Sequence, residues 1–235
     1  MTEIYEREDL KNQRRIFKDR FDAGRVLAAM LEPVFGGAGN LMVLAIPLGG
    51  IPVAVKIAER LQCPLELAIV RKIQIPGNTE AGFGAITGEG DVFLNEPLMF
   101  RLNMRPDQVE QQSRKVRAEL AERDRRLRGN RSFPALENKI VLIVDDGLAS
   151  GFTMKAAVYM ASKRRARRTV VAVPTASRHT LESLDGAVDA VFCANVREER
   201  HFAVAEAYAD WYDLSEAEAA ALLAERSWRT GEYEP

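Results

Sequence analysis

The 235 residues carry a formal net charge of −1, with 47% hydrophobic and 29% charged side chains, an ordinary composition for a globular chain with a sizeable core. That balance gives the whole molecule no electrostatic bias toward nucleic acid or anionic lipid. Two cysteines, Cys63 and Cys193, in or beside apolar runs and without CxxC spacing, speak against a disulfide framework or structural zinc site. The opening MTEIYEREDLKNQRR lacks the apolar stretch of a signal peptide, and no apolar run is long enough to cross a bilayer. A soluble, cytoplasmic protein with no membrane partner is expected.

In chain order, residues 41–46 (LMVLAI) read as a buried strand closed by Pro47 and the pair Gly49-Gly50. A helix follows to about Leu61, then a second strand over residues 65–73. Residues 74–96 are rich in glycine, with strand pieces at 84–87 and 92–94, and read as a long hairpin or mobile loop; loops of that length in compact domains are usually functional. Residues 106–128 form a long helix of mixed charge, read as a solvated face laced with i,i+4 pairs. Ile140 to Val144 (IVLIV) is the clearest strand, followed by a helix from about Gly151 to Lys163. Residues 169–173 and 187–193 are further strands, with a helix near 180–184 between them. Short β-branched runs alternating with helical patterns indicate an α/β fold, a parallel sheet flanked by helices. The expectation is a single domain over 1–235, with a helical insertion at about 103–129 and a helical tail at about 213–228.

The segment VLIVDDGLASGFT is the most informative. An apolar strand ends in two carboxylates, Asp145 and Asp146, and passes through Gly147, Leu148, Ala149, Ser150, Gly151, Phe152 and Thr153 into a helix. Ligands of open α/β sheets bind at the carboxyl ends of strands. The loop can aim backbone N–H groups and the hydroxyls of Ser150 and Thr153 at one spot, a helix N-terminus suited to a phosphate monoester. Asp145 and Asp146 offer acceptors to a nearby ribose diol. A simple helix N-cap needs one acid and no glycine-bracketed hydroxyls. A receiver-domain opening would require more chain after the acid pair. A Walker B strand would require a GxxxxGK[ST] loop, and neither that nor GxGxxG occurs.

These residues resemble the 5-phosphoribosyl-1-pyrophosphate (PRPP) motif of type I phosphoribosyltransferases. The stretches FKDRFDAG, IPLGGIPVA, RKI with PGN, Glu80 and Gly84-Ala85, AVP, and FAV through Tyr208 are similar to predicted phosphoribosyltransferases of unassigned substrate. The resemblance implies a type I fold with a long flexible hairpin loop and a small hood. It implies that Asp145 and Asp146 hold the ribose hydroxyls and share in holding Mg2+, and that Ala149 to Thr153 hold the 5-phosphate, with Gly147 and Leu148 in the same binding loop. Leu48, Gly49 and Gly50 would meet pyrophosphate through their amides, Arg71 and Lys72 would add positive charge, and the hairpin bearing Glu80 would close over the site. The family usually carries Arg or Lys where this chain has Leu48, which shifts that contact onto the backbone. Glu80 is the weak candidate for a general base. The implied activity is transfer of the phosphoribosyl group to a nitrogenous base or related small acceptor, in a homodimer.

Two other classes remain open at this stage. One is a PRPP-sensing regulator, kept alive by the basic run Lys163-Arg164-Arg165-Ala166-Arg167-Arg168, although no helix-turn-helix extension supports nucleic-acid binding. The other is a phosphoribosyl or PRPP hydrolase. Phe202, Tyr208, Trp211 and Tyr212 have a spacing that favours core packing over base stacking.

Overall fold

The structure, a computed structural model, describes residues 2–88, 90–129, 132–199 and 202–224, without the side chains of 78–81. It begins with a short strand, β1 (Glu3–Glu6), followed by helix α1 (Arg20–Phe35), strand β2 (Leu41–Ala45), helix α2 (Gly50–Leu61) and strand β3 (Leu65–Leu67). A hairpin of β4 (Val70–Ile75), β5 (Asn78–Thr87) and β6 (Val92–Leu94) comes next, then α3 (Glu96–Arg101) and α4 (Pro106–Arg128). The chain returns through β7 (Ile140–Val144), α5 (Phe152–Lys163), β8 (Arg168–Ser177), α6 (Arg178–Glu182), β9 (Ala190–Arg197) and α7 (Glu216–Ala224). Six strands pair in the order β1-β9-β8-β7-β2-β3, every neighbour parallel, and β4-β5-β6 form a separate antiparallel sheet.

The central strands are apolar throughout because both faces are covered. Their alternate residues enter two different cores. Leu41, Val43, Leu142 and Val144 pack with Leu27, Leu31 and Ile57 from α1 and α2. Met42, Leu44, Val141 and Ile143 pack with Met154, Ala157 and Ala161 from α5. Helix α1 is capped by Asp19, whose side chain accepts from Asp22 N at 2.8 Å. It buries Arg20, Ala23, Gly24, Leu27, Ala28, Leu31 and Phe35, the i,i+3/i+4 stripe of a core-facing helix.

One expectation changes here. The single strand over 65–73 is two strands in two sheets: β3 extends the main sheet beside β2, and β4 departs into the hairpin. Between them Ala68 N is held by Ala45 O at 2.8 Å, and Ile69 O accepts from Gly88 N at 2.7 Å, so this break is pinned from both sides. Of the two readings of 74–96, hairpin or mobile loop, the hairpin is the one found, seated by Phe83 and Ile86, which are fully buried.

Helix α4 occupies the residues expected of it and carries i,i+4 pairs such as Arg114–Glu110 and Arg126–Glu122. It is not solvated all round. Val116, Leu120 and Leu127 are buried, Arg128 pairs with Glu66 of β3, and Arg123 and Arg126 reach Glu216 of α7. The expected tail at 213–228 extends past the last described residue, 224. No helix among the described residues is long and apolar enough to cross a membrane.

Candidate active site

Strands β2 and β7 lie side by side and end in register, Ala45 opposite Val144. The loops that leave the two strands are therefore neighbours. Ile46 N donates to Val144 O at 2.8 Å. The next peptide, Pro47-Leu48, is cis. The chain then enters α2 through Gly49 and Gly50. A Cβ on Gly50 would stand 2.7 Å from Val144 O and 2.9 Å from Asp145 Cα, and one on Gly49 would overlap the Asp146 carboxylate, 2.5 Å from its Cγ. Glycine at both positions is what lets this loop lie against the acid pair. Gly50 N and Ile51 N are used by Ile46 O and Leu48 O, while the amides of Leu48 and Gly49 have no protein acceptor among the described residues. The Leu48 side chain is half-buried and packs on the core.

The two acids have different partners. Asp145 Oδ1 accepts from Asp146 N at 2.9 Å. Asp146 Oδ2 accepts from Arg20 Nε at 2.8 Å, in an ion pair whose side chains are 7% and 15% exposed. Arg20 Nη1 donates to Tyr212 O at 2.7 Å, and the guanidinium stacks 3.9 Å from the centre of the Trp211 ring. Tyr208 Oη donates to Asp146 O at 2.5 Å. Burial, then the neighbouring Asp146 charge, pushes the Asp145 carboxyl well above the usual carboxylate range. Burial also raises Asp146, with Arg20 pulling against it. The buried Tyr208 hydroxyl is raised well above its ordinary value, first by burial and then by Asp146.

Beyond the acids, Gly147 passes so close to Val204 that a Cβ would stand 2.7 Å from its Cγ2. Leu148 is buried and donates its N–H to Thr175 O at 2.9 Å, fixing the loop to β8. Thr180 Oγ1 donates to Ala149 O at 2.6 Å. Gly151 holds φ +74° at the start of α5, a left-handed turn that favours glycine. The amides of Ala149, Ser150, Gly151, Phe152, Thr153 and Met154 donate to no protein acceptor among the described residues. The first N–H groups of a helix have no partner within it. Six consecutive open donors, with the hydroxyls of Ser150 and Thr153 beside them, face the amino end of a 12-residue helix.

The remaining anticipated residues lie on the second sheet. Arg71 pairs with Glu119 of α4 at 3.0 Å. Lys72 runs along Gly82, its Cβ and Cδ 3.3 Å from where a Cβ would stand there. The side chain of Glu80 lies outside the described residues, as does His201, and His179 is exposed on α6. The basic run starts at the carboxyl end of α5 and reaches β8 at its amino end, across the sheet from the acid pair; within it Arg164 stacks 4.3 Å from the Phe133 ring.

Sequence reasoning missed Arg20. The available signal was its place in the α1 stripe, where 23, 24, 27, 28 and 31 are apolar or glycine and position 20 is an arginine. A charge in a core-facing position implies a buried partner. The aromatic group divides: Tyr208 is buried at 2%, whereas Trp211 and Tyr212 are 38% and 50% exposed. Replacing Tyr208 with Phe leaves the Asp146 carbonyl without its hydroxyl donor and is expected to cost about 1–2 kcal/mol. An unchanged denaturation midpoint would show that this bond contributes nothing.

A family model described as the phosphoribosyl transferase domain matches residues 17–211. Among curated proteins, one from Mycobacterium tuberculosis, found in two strains under the name "Putative phosphoribosyl transferase", is 36% identical over 209 residues, 89% of this chain and 46% of its own length. The chain thus spans about half the length of the curated relatives it matches. The crystal structure of TT1426 from Thermus thermophilus is 34% identical, covers 89% of this chain and 98% of its own, and superposes with a TM-score of 0.74. The family match runs from Phe17, ahead of α1, to Trp211, and so takes in the glycine loop, the acid pair, the open helix terminus and Arg20. The chain belongs to the phosphoribosyl transferase domain family.

Proposed function

We propose that this chain is a type I phosphoribosyltransferase that binds PRPP with Mg2+ and transfers its phosphoribosyl group to a nitrogenous base or a related small acceptor. The observation that carries the reading is the junction of three features at the ends of β2 and β7: two half-buried carboxylates, six open amides at a helix terminus, and the open amides of Leu48 and Gly49. In this arrangement the 5-phosphate accepts hydrogen bonds from the amides of 149–154 and the hydroxyls of Ser150 and Thr153. The ribose hydroxyls donate to Asp145 and Asp146. The leaving pyrophosphate lies along Leu48 and Gly49.

The donor set fits a divalent cation bound chiefly by its substrate. The described residues contain no cluster of three or more metal-ligating side chains, and Mg2+ commonly takes one or two carboxylates with the rest from phosphate oxygens and water. Asp145 and Asp146 are the residues that would hold it, and when bound it would neutralise charge on the departing pyrophosphate. The residues of the chain bind and orient the sugar so that its C1 carbon is presented to the acceptor. The hairpin of β4 and β5 is the element suited to exclude water, with Arg71, Lys72 and Glu80 on it. A homodimer belongs to the same proposal and is read by sedimentation.

The test is calorimetric titration of PRPP into the full chain with Mg2+, followed by assay of pyrophosphate release across a panel of bases. Saturable binding and acceptor-dependent release are expected. Absence of PRPP binding would overturn the reading, and PRPP loss without any acceptor would assign the chain to hydrolysis.

A further inference from the structure

A pyrophosphate group brings several negative charges to a site that already holds two carboxylates. The loop that would receive it, Pro47 to Gly50, contains no cation. Arg71, a cation expected to help from the hairpin, is paired with Glu119. Among the described residues, Arg20 is the cation ion-paired with the acid pair.

Its three guanidinium nitrogens are in different states. Nε holds Asp146 Oδ2 and Nη1 holds Tyr212 O. Nη2 has no hydrogen-bond partner among the described residues, yet it is not one of the sealed, unpartnered polar atoms, so it keeps contact with solvent. The group cannot wander to find a partner. Trp211 stacks on its face at 3.9 Å, and α1 fixes its stem.

Gly49 sets the direction. A Cβ there would overlap the carboxylate of Asp146, and Arg20 Nε grips that carboxylate by Oδ2. The Gly49 backbone and the Arg20 guanidinium therefore approach the same carboxylate, which makes the Leu48–Gly49 loop and Arg20 neighbours. The loop with the open amides of Leu48 and Gly49 is thus within one carboxylate of Arg20.

We propose that Arg20 is the pyrophosphate-binding cation of this site, its Nη2 donating to the phosphate oxygens received by the Leu48–Gly49 loop. This rests on the reading of the site as a PRPP pocket. It assigns to α1 a contact that sequence reasoning sought on the first loop and the hairpin.

The experiment compares two probes, inorganic pyrophosphate with Mg2+ and ribose 5-phosphate, titrated calorimetrically into the wild type, Arg20→Gln, Arg20→Lys and the double variant Arg20→Gln/Leu48→Arg. Loss of one charge-assisted hydrogen bond corresponds to about 10–100-fold in affinity. Arg20→Gln is expected to weaken pyrophosphate by that factor while ribose 5-phosphate stays within about 3-fold. Arg20→Lys should lie between, and the cation added at Leu48 should restore pyrophosphate binding at least in part. Quenching of Trp211 fluorescence by pyrophosphate should be present in the wild type and absent in Arg20→Gln. Equal losses for both probes would mean that Arg20 acts only by supporting Asp146, and would overturn the assignment. So would an unchanged pyrophosphate affinity. Should Arg20→Gln not fold, Arg20→Lys and the single Leu48→Arg variant carry the comparison, and pyrophosphate affinities equal to wild type in both would overturn it. A wild type that binds ribose 5-phosphate but not pyrophosphate removes this inference alone, whereas one that binds neither removes the PRPP reading with it.

Discussion

Replacing both Asp145 and Asp146 with asparagine abolishes PRPP binding, a loss expected to exceed about 100-fold, because two charged acceptors for the sugar and its cation disappear together. The double variant should still fold, since asparagine preserves shape in a strand end that is packed on both faces. The single variants separate the two acids. Asp145 is buried beside a like charge and its pKa is raised, so the folded state binds its proton more tightly than the unfolded chain does. Its contribution to stability is then fully present below the unfolded value, about 3.9, and is lost as pH rises through the raised folded value. The ionised form is the poorly solvated one, and Asp145→Asn, which removes that charge, should stabilise the ligand-free protein by about 1 kcal/mol or more at a pH above the raised value.

Asp146→Asn should do the opposite. It strips the buried Arg20 of its carboxylate, the sort of change that costs about 3 kcal/mol. Urea denaturation from pH 4 to pH 8 checks both signs. If Asp145→Asn were the less stable of the two at neutral pH, the division of roles between the acids would be wrong.

Gly49→Ala tests the same junction by steric means. The backbone at Gly49 has φ −62° and ψ −33°, ordinary for alanine, so any effect comes from the added methyl group. That group would overlap the Asp146 carboxylate, which cannot simply turn aside because Arg20 holds Oδ2 and Tyr208 holds the main-chain carbonyl. Either the ion pair breaks or the loop lifts off β7. Overpacking of this kind costs about 1–3 kcal/mol, and PRPP affinity should fall by more than about 10-fold as the junction opens. Gly39→Ala, where a Cβ meets nothing within 4 Å, is the control and should change stability by less than about 0.5 kcal/mol. Wild-type stability and affinity in Gly49→Ala would mean that the loop and the acid pair are less closely coupled than their geometry requires.

Where the sequence was legible, a physical pattern made it so. Ile140–Val144 reads as a strand because burial on both faces leaves an unbroken apolar run, and the acids and glycines after it mark the loop by their chemistry. The pairing of α2 and α5 with their strands was legible for the same reason. Strand β1 was not, because an edge strand has one neighbour and its residues alternate between half-buried and exposed, with glutamates at both ends. The break at Ala68-Ile69 was hidden because both residues are buried and apolar, and nothing local distinguishes a strand that continues from one that changes sheets. The partners of Arg71 and Arg20 were hidden for a similar reason. The resemblance gave Arg71 a charged role and Arg20 none, whereas Glu119 and Asp146, the carboxylates that pair with these two arginines, come from distant parts of the chain.

The segment from β1 to α1 has a consequence for the order of assembly. Among the described residues strand β1 joins the sheet through β9 alone, Asn12 accepts from Glu198 N at a separation of 186 residues, and residues 15–18 are held by 206–210. On the ribosome, this segment therefore waits exposed while nearly all the rest of the domain is synthesised. The strands β2, β3 and β7 can associate earlier, but Arg20 lacks Trp211 and Tyr212, and Asp146 lacks Tyr208, until the chain has emerged past 212. Contacts so distant in sequence form late because the intervening loop must be closed before they can contribute. A nascent chain that stops short of Tyr208 would thus hold a sheet and a helix terminus, but neither Arg20 nor Asp146 would yet have the contacts from residues 208–212 that hold it in the folded chain.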